Sequence, residues 1–271
     1  MRYWKGSISL SPTRDYPLLR QVLHSGLVTH NQLFDFLRLD YSASSRNSFN
    51  NRVHRLVKHG LLVRQEMPFV NREVVYTVSP AGASELVGRG EHYVPPARKG
   101  RWSSAQSSFH HSLELNEIHL ALKRSGTLVY WMPETEIRSR NDLTDSGYWK
   151  YYDAVVTVRL AGQDYKFALE YERTPKAARK YGGIRDRIEQ ETSIAHFLYL
   201  VPNRDLLCFV ADMMAGCKRS VYFGLFGEFL KETLTLPVRR SGSLVSITLD
   251  SMLTQRKALQ RTGALFPDIN V

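Results

Sequence analysis

The sequence predicts an α/β (α+β) protein built in two parts: a helical N-terminal part carrying a two-stranded ribbon, then a mixed β-sheet flanked by helices. Three observations carry this. The first ninety residues show apolar stripes at helical spacing. The stretch GRGEHYVPPARKGRWSSAQSS, Gly88 to Ser108, is rich in Gly, Pro and Ser and divides the chain. Beyond it, short β-branched and apolar runs alternate with helical patterns, which is the rhythm of helices laid on a sheet. The expected division is residues 11–90, a linker over 91–104, and a second domain over 105–271.

In the first part, Leu18, Leu19, Val22 and Leu23 place a helix between Arg14 and Ser25, stopped by Gly26. Thr29 is suited to cap a second helix with Leu33, Phe34 and Leu37 inward. A third helix, SRNSFNNRVHRLVKHG, puts Phe49, Val53, Leu56 and Val57 on one stripe and Asn47, Asn51, His54 and Lys58 on the opposite side. That outer side carries no acid. LLVRQ and VVYTV then form two strands around MPFVNRE, and SPAGASELV opens another helix.

Three helices followed by a two-stranded wing resemble the winged helix-turn-helix superfamily over roughly Arg14 to Gly90. The resemblance implies that the third helix lies in a DNA major groove and the wing on the backbone. Asn47, Asn51 and Arg52 are then the candidates for base edges. Arg46, Arg55, Lys58 and Arg72 are the candidates for phosphates. A basic face that is merely solvated, or one that docks a protein, stays open as the alternative.

In the second part, YYDAVVTVRLAGQDYKFALEYERTPKAARKY reads as a hairpin. Val155, Val156, Val158 and Leu160 make one strand, Ala161-Gly162-Gln163-Asp164 turns, and Tyr165 to Leu169 returns. Asp153 opens the first strand and Glu170 closes the second, so antiparallel pairing brings their carboxylates together. Glu172, two residues on, returns to the same face. Three such anions need a divalent cation or basic partners, and Mg²⁺ or Mn²⁺ suits an all-oxygen site acting on a phosphodiester. Neutralisation by Arg173, Lys176, Arg179 and Lys180 as a surface cluster is the competing account.

The 271 residues carry 37 Lys and Arg against 26 Asp and Glu, a net charge of +11, which favours a polyanionic partner, double-stranded DNA first. No apolar run has the length of a membrane span and MRYWKGSISLSP lacks a signal-peptide core, so a cytoplasmic protein with no membrane partner is expected. Cys208 and Cys217 lack metal-site spacing and are expected to be ordinary packing residues.

Around the acids, SAQSSFHHSLELNEIHLALKRSG predicts a helix from about Ala105 to Arg124 with His110, Glu114, Glu117 and Ala121 on one stripe. After the hairpin come a helix entered at Pro175, the strand HFLYLVP, the helix NRDLLCFVADMMAG, the strand VYFGLF and the helix GEFLKETL. With Asp153 and Glu170, this order resembles the PD-(D/E)XK restriction-endonuclease-like fold from about Ser104 to Leu234. The resemblance implies a magnesium site of Asp153, Glu170 and Glu117, with Glu114 competing for the last place. Two positions depart from that motif: Tyr152 replaces its proline and Glu172 its lysine. Lys166, Lys176 or Lys180 are the candidate substitutes for the lysine, and Lys180 is included in the expected catalytic set with Asp153, Glu170, Glu172 and Glu117.

The whole chain is similar to the replication-relaxation family, on HHSLELNEIHLAL, YDAVV and ALEYERTPK with the basic, tyrosine-bearing helix that follows. That resemblance implies a mobile-element protein that recognises a DNA site and nicks it with a metal, with a homodimer or other DNA-processing proteins as further partners. The alternative is a non-catalytic replication or transcription regulator on a degenerate nuclease fold. His110-His111 as a zinc pair and Tyr181 as a nucleophile are weaker readings, because the HExxH order and a three-histidine cluster are both missing.

Overall fold

The structure is a computed structural model describing residues 8–41, 45–66, 73–93, 102–144, 147–243 and 245–262. It divides into two compact units, one of residues 1–124 with 133–147 and one of residues 125–132 with 148–271. The division does not follow the expected linker, because the long helix after it belongs to the first unit.

The first unit runs α1 (Asp15–Ser25), β1 (Val28–Thr29), α2 (His30–Asp40), α3 (Arg46–Lys58), β2 (Leu62–Glu66), β3 (Val74–Val78), α4 (Pro80–Val87) and α5 (Trp102–Arg124). Thr29 caps α2 with a full capping box: its hydroxyl accepts from Gln32 N–H while Gln32 accepts from the Thr29 N–H. Ser45 and Ser79 cap α3 and α4 in the same simple way. β1 was not foreseen; it pairs antiparallel with β3, giving a three-stranded sheet of order β1-β3-β2. Leu18, Leu19, Val22, Leu33, Phe36, Phe49, Val53 and Leu56 make the core, and Leu120 of α5 joins it. The reason α5 belongs here is visible in its polar residues. Asn116 donates to the Leu27 carbonyl at 2.8 Å, and Gln32 donates to the Leu113 carbonyl at 2.9 Å and to Glu117 at 2.7 Å. These buried bonds would be costly to leave unmade.

The second unit is a seven-stranded mixed sheet flanked by helices, the α/β class expected. Its strands are β4 (Leu128–Pro133), β5 (Ala154–Leu160), β6 (Gln163–Tyr171), β7 (His196–Val201), β8 (Ser220–Leu225), β9 (Pro237–Arg240) and β10 (Ser246–Thr248), in the order β10-β9-β8-β7-β6-β5-β4. β5 and β6 are antiparallel, whereas β6, β7 and β8 are parallel. The parallel steps are bridged by α7 (Arg179–Gln190) and α8 (Arg204–Met213), as parallel neighbours require. β7 is buried at all six positions, which explains its unbroken apolar reading. The chain ends in α9 (Phe226–Glu232), β9, β10 and α10 (Leu249–Thr262); the last three elements were not foreseen.

Several local expectations are refined. The polar stretch PETEIRSR forms most of α6 (Glu134–Leu143), held by Glu134–Arg138 and Glu136–Arg140 pairs four residues apart. α7 begins at Arg179, so Pro175 lies before it rather than in its first turn. The hairpin turn is two residues, not four: Leu160 pairs with Gln163, and Ala161 (φ 47°) and Gly162 (φ 76°) both lie in the left-handed region of a tight primed turn. Cys208 is exposed rather than a packing residue.

Candidate functional site

The third helix was expected to present six DNA-facing side chains. Asn47, Asn51 and Lys58 are exposed and engaged by no other described residue. Arg52 and Arg55 are not available in the same way. They grip Asp15, which has no exposed surface, at 2.8 and 2.5 Å. Burial pushes the Asp15 carboxyl up, but the Ser11 N–H and the two guanidiniums outweigh it and bring the group below the usual carboxylate range. Arg46 stacks over Phe34 at 4.4 Å and donates to Asn31 at 2.6 Å. The assignment of Arg52 to base reading is therefore corrected: its fork is spent on holding α3 to α1. Beside this pair lies an open polar cleft of about 800 Å³, lined by Ser11, Thr13, Arg14, Ser48 and Asn51. Arg72 lies outside the described residues.

In the second unit, Ala154 pairs with Leu169, and Asp153, in the bend just before β5, comes close enough to Glu170 for its charge to act on that carboxyl. Glu170 in turn pairs with Tyr199 of β7. Cross-strand partners share a face and neighbouring strands lie about 4.8 Å apart, so Glu170 and Tyr199 sit side by side, and Asp153 at the entry to β5 lies near enough for its charge to act on both. The expected meeting of Asp153 and Glu170 is present. Glu170 is 7% exposed. Its pKa is pushed up to about 7: burial is the main cause, Lys150, its ion-pair partner, opposes it, and the Asp153 charge adds to it. Asp153 accepts the Tyr171 N–H at 2.7 Å. Tyr199 is 1% exposed and its hydroxyl has no hydrogen-bond partner among the described residues. Burial, and then the charges of Glu170, Glu172 and Asp153, hold that phenol far above its ordinary range.

Lys150 is the residue the sequence reading missed. It comes from the segment before β5, fixed by buried Glu191, which accepts the Trp149 N–H at 3.2 Å and both the N–H and hydroxyl of Ser193. Its only signal was a lysine three residues ahead of Asp153. Of the lysines proposed instead, Lys166 and Lys180 are exposed and form no ion pair with the acids, and Lys176 pairs with Glu172 at 2.8 Å. Glu172, 2% exposed, also accepts from the Tyr181 hydroxyl and from the Lys176 N–H at 3.2 Å. It thus ties the end of β6 to α7, and Tyr181 is a buried donor to it.

Glu117 lies in the first unit, half-buried, and accepts from Gln32. With His110 and Glu114 it lines a pocket of about 290 Å³ there. Among the described residues, no three His, Cys, Asp or Glu side chains converge closely enough to hold a metal ion. The expected convergence of three carboxylates is thereby reduced to the pair Asp153 and Glu170. A pair still fits magnesium, which is commonly bound by one or two carboxylates together with substrate phosphate. The unpartnered Tyr199 hydroxyl beside the pair adds one further oxygen that burial leaves unsatisfied.

No family model and no curated protein match the chain. Among solved structures it is similar to the restriction endonuclease FokI bound to DNA, at 12% identity and a TM-score of 0.23. The match covers 83% of this chain and 45% of that one, so less than half of FokI is spanned. A similarity of that size leaves activity to be argued from the residues above. Among the described residues, no helix is long and apolar enough to cross a membrane.

Proposed function

We propose that the chain binds double-stranded DNA through its N-terminal unit, acting as a winged helix, and cleaves a phosphodiester at Asp153 and Glu170 with Mg²⁺ or Mn²⁺. The observation that carries this is the group Asp153, Glu170, Tyr199: two neighbouring acids beside a buried hydroxyl that has no partner among the described residues, reached by Lys150. The +11 charge supports a nucleic-acid partner. A divalent ion at the pair would supply Lewis-acid polarisation and a more acidic water. Asp153, held in place by the Tyr171 N–H, would help to hold that ion; Glu170, ionising near neutrality, can hold or release a proton at its carboxylate; Lys150 would bring a cation to the place where phosphate charge grows. The finer reading, a nicking protein of a mobile genetic element, rests on the family resemblance of the local motifs.

A second reading is favoured by one specific observation. Glu172 stands in the motif's lysine position and is committed to Tyr181 and Lys176, as in a regulator that retains the fold without the chemistry. The test is conversion of supercoiled plasmid to the nicked form in Mg²⁺ or Mn²⁺ by wild type and by Asp153→Asn. Cleavage lost in the variant supports the enzyme. Intact plasmid with wild type, together with no Mn²⁺ binding by calorimetry in the presence of DNA, leaves the regulator.

A further inference from the structure

At the other end of the parallel strands from Glu170, the first residues of β7 and β8 open a separate cavity of about 280 Å³. Its lining holds three cations, Lys218, Arg219 and Arg240, with Ser220, Tyr222 and His196, and includes no Asp or Glu among the described residues. The cations are positioned by the fold. Arg240 enters from β9, where it is the register partner of Tyr222. Arg219 donates to the Ile194 carbonyl and lies 5.9 Å from the Phe197 ring centre, which fixes its stem. Lys218 has its main-chain N–H held by Glu189 at 3.1 Å, so that acid anchors the backbone while the ammonium makes no ion pair with a described acid. The floor is firm: Tyr222 and His196 are both buried, with ring centres 6.4 Å apart.

Three like charges converging on a lining without an acid repel one another, and the arrangement is relieved when a multivalent anion enters. Phosphate answers this best. It presents several acceptor oxygens to the planar forks of two arginines, to an ammonium and to the Ser220 hydroxyl. The cavity lies at the lower limit of small-molecule sites, about 300 Å³, and so admits a phosphate with a small part of what carries it rather than a whole cofactor. We infer that this pocket binds a phosphomonoester group, either free phosphate or the terminal phosphate of a nucleic-acid strand. A phosphomonoester has close to two negative charges at neutral pH, against one for each internal phosphodiester. A pocket of three cations therefore favours a strand end over the body of the strand.

The test is calorimetric titration of the full chain with inorganic phosphate and with a short oligonucleotide in two forms, 5′-phosphorylated and 5′-hydroxyl. Lys218→Gln and Arg240→Gln change exposed side chains, and circular dichroism confirms that each keeps the wild-type fold. The expected result is binding of inorganic phosphate weakened about tenfold or more in each variant. A preference for the 5′-phosphorylated strand that both variants abolish assigns the source as a strand end, and inorganic phosphate binding without such a preference assigns free phosphate. No phosphate binding by wild type, or binding equal in wild type and both variants, overturns the inference. Asp153→Asn serves as a control that leaves this pocket intact, so loss of cleavage there and loss of phosphate binding here are separate outcomes.

Discussion

Arg52 Nη1 stands 2.8 Å from Oδ1 of Asp15, and Arg55 takes the other oxygen of the same fully buried carboxylate. The acid at the start of α1 therefore clamps the middle of α3. Asp15→Asn should destabilise the protein by about 2–3 kcal/mol, below the largest losses for broken buried pairs because Arg55 remains partly in water. Since the folded Asp15 is held below its unfolded value, its contribution is complete above the unfolded carboxylate range and disappears as pH falls through the folded one. Urea denaturation of wild type and variant at neutral and acid pH reads this directly. Equal stability at neutral pH would show that the clamp contributes nothing.

If the N-terminal unit reads DNA as proposed, Arg52 is occupied and base recognition should fall to Asn47 and Asn51. Asn51→Ala should cost about 1–3 kcal/mol on a preferred site and little on random duplex. Lys58→Ala should weaken all duplexes alike and reduce the salt slope by about one. Arg52→Ala should lower stability rather than specificity. Titrations at two salt concentrations separate the three patterns.

If the acidic pair cleaves DNA, Lys150→Ala should lower plasmid nicking by about 10²–10³-fold, the usual cost of removing one charge-stabilising donor. Lys180→Ala should leave it unchanged. The reverse ranking would return the lysine role to α7.

Glu170 ionises near pH 7, so a divalent ion should bind the Asp153–Glu170 pair more tightly as pH rises toward 7 and level off above it. The same raised pKa makes the neutral acid the comfortable folded form. Its stabilising effect is present below the unfolded value and is lost as pH rises through about 7. Glu170→Gln should flatten stability over that interval. A Mn²⁺ affinity that does not vary between pH 5 and 8 would contradict the assignment.

Ala161 at φ 47° carries strain that glycine avoids, as the first residue of a two-residue turn. Ala161→Gly should be neutral or stabilising by up to about 1 kcal/mol even though glycine generally costs conformational entropy. Thermal melting compares the two proteins.

Much of this architecture is legible in the chain because periodicity reports burial. Phe49, Val53 and Leu56 mark α3, and the unbroken HFLYLV marks β7. Capping chemistry fixed the start of α2 at Thr29. The alternation of strands and helices also placed Asp153 against Glu170, since hairpin pairing follows from local pattern. What sequence could not convey were partners chosen over long range. Nothing near Arg52 in the chain announces Asp15, 37 residues away. Glu117 looks like an inward acid of the sheet domain, yet its bond is to Gln32, 85 residues earlier. Lys150 is likewise unmarked, because its delivery depends on Glu191 anchoring Trp149. Short β1, β9 and β10 have too few residues to show a period.

The hairpin between Asp153 and Glu170 is also a gauge of length. Seven consecutive pairs, from Ala154–Leu169 to Leu160–Gln163, separate the acids from the Ala161-Gly162 bend. Residues added at the bend lengthen a solvent-facing tip and leave the acids opposite one another. A single residue removed from within β6 moves Glu170 to the opposite side of the sheet relative to Asp153, although both side chains survive in the sequence. Length variation in relatives of this chain is therefore expected to gather at the tip, and a loop grafted there is the route by which a reporter or a targeting peptide can be carried without disturbing the acids.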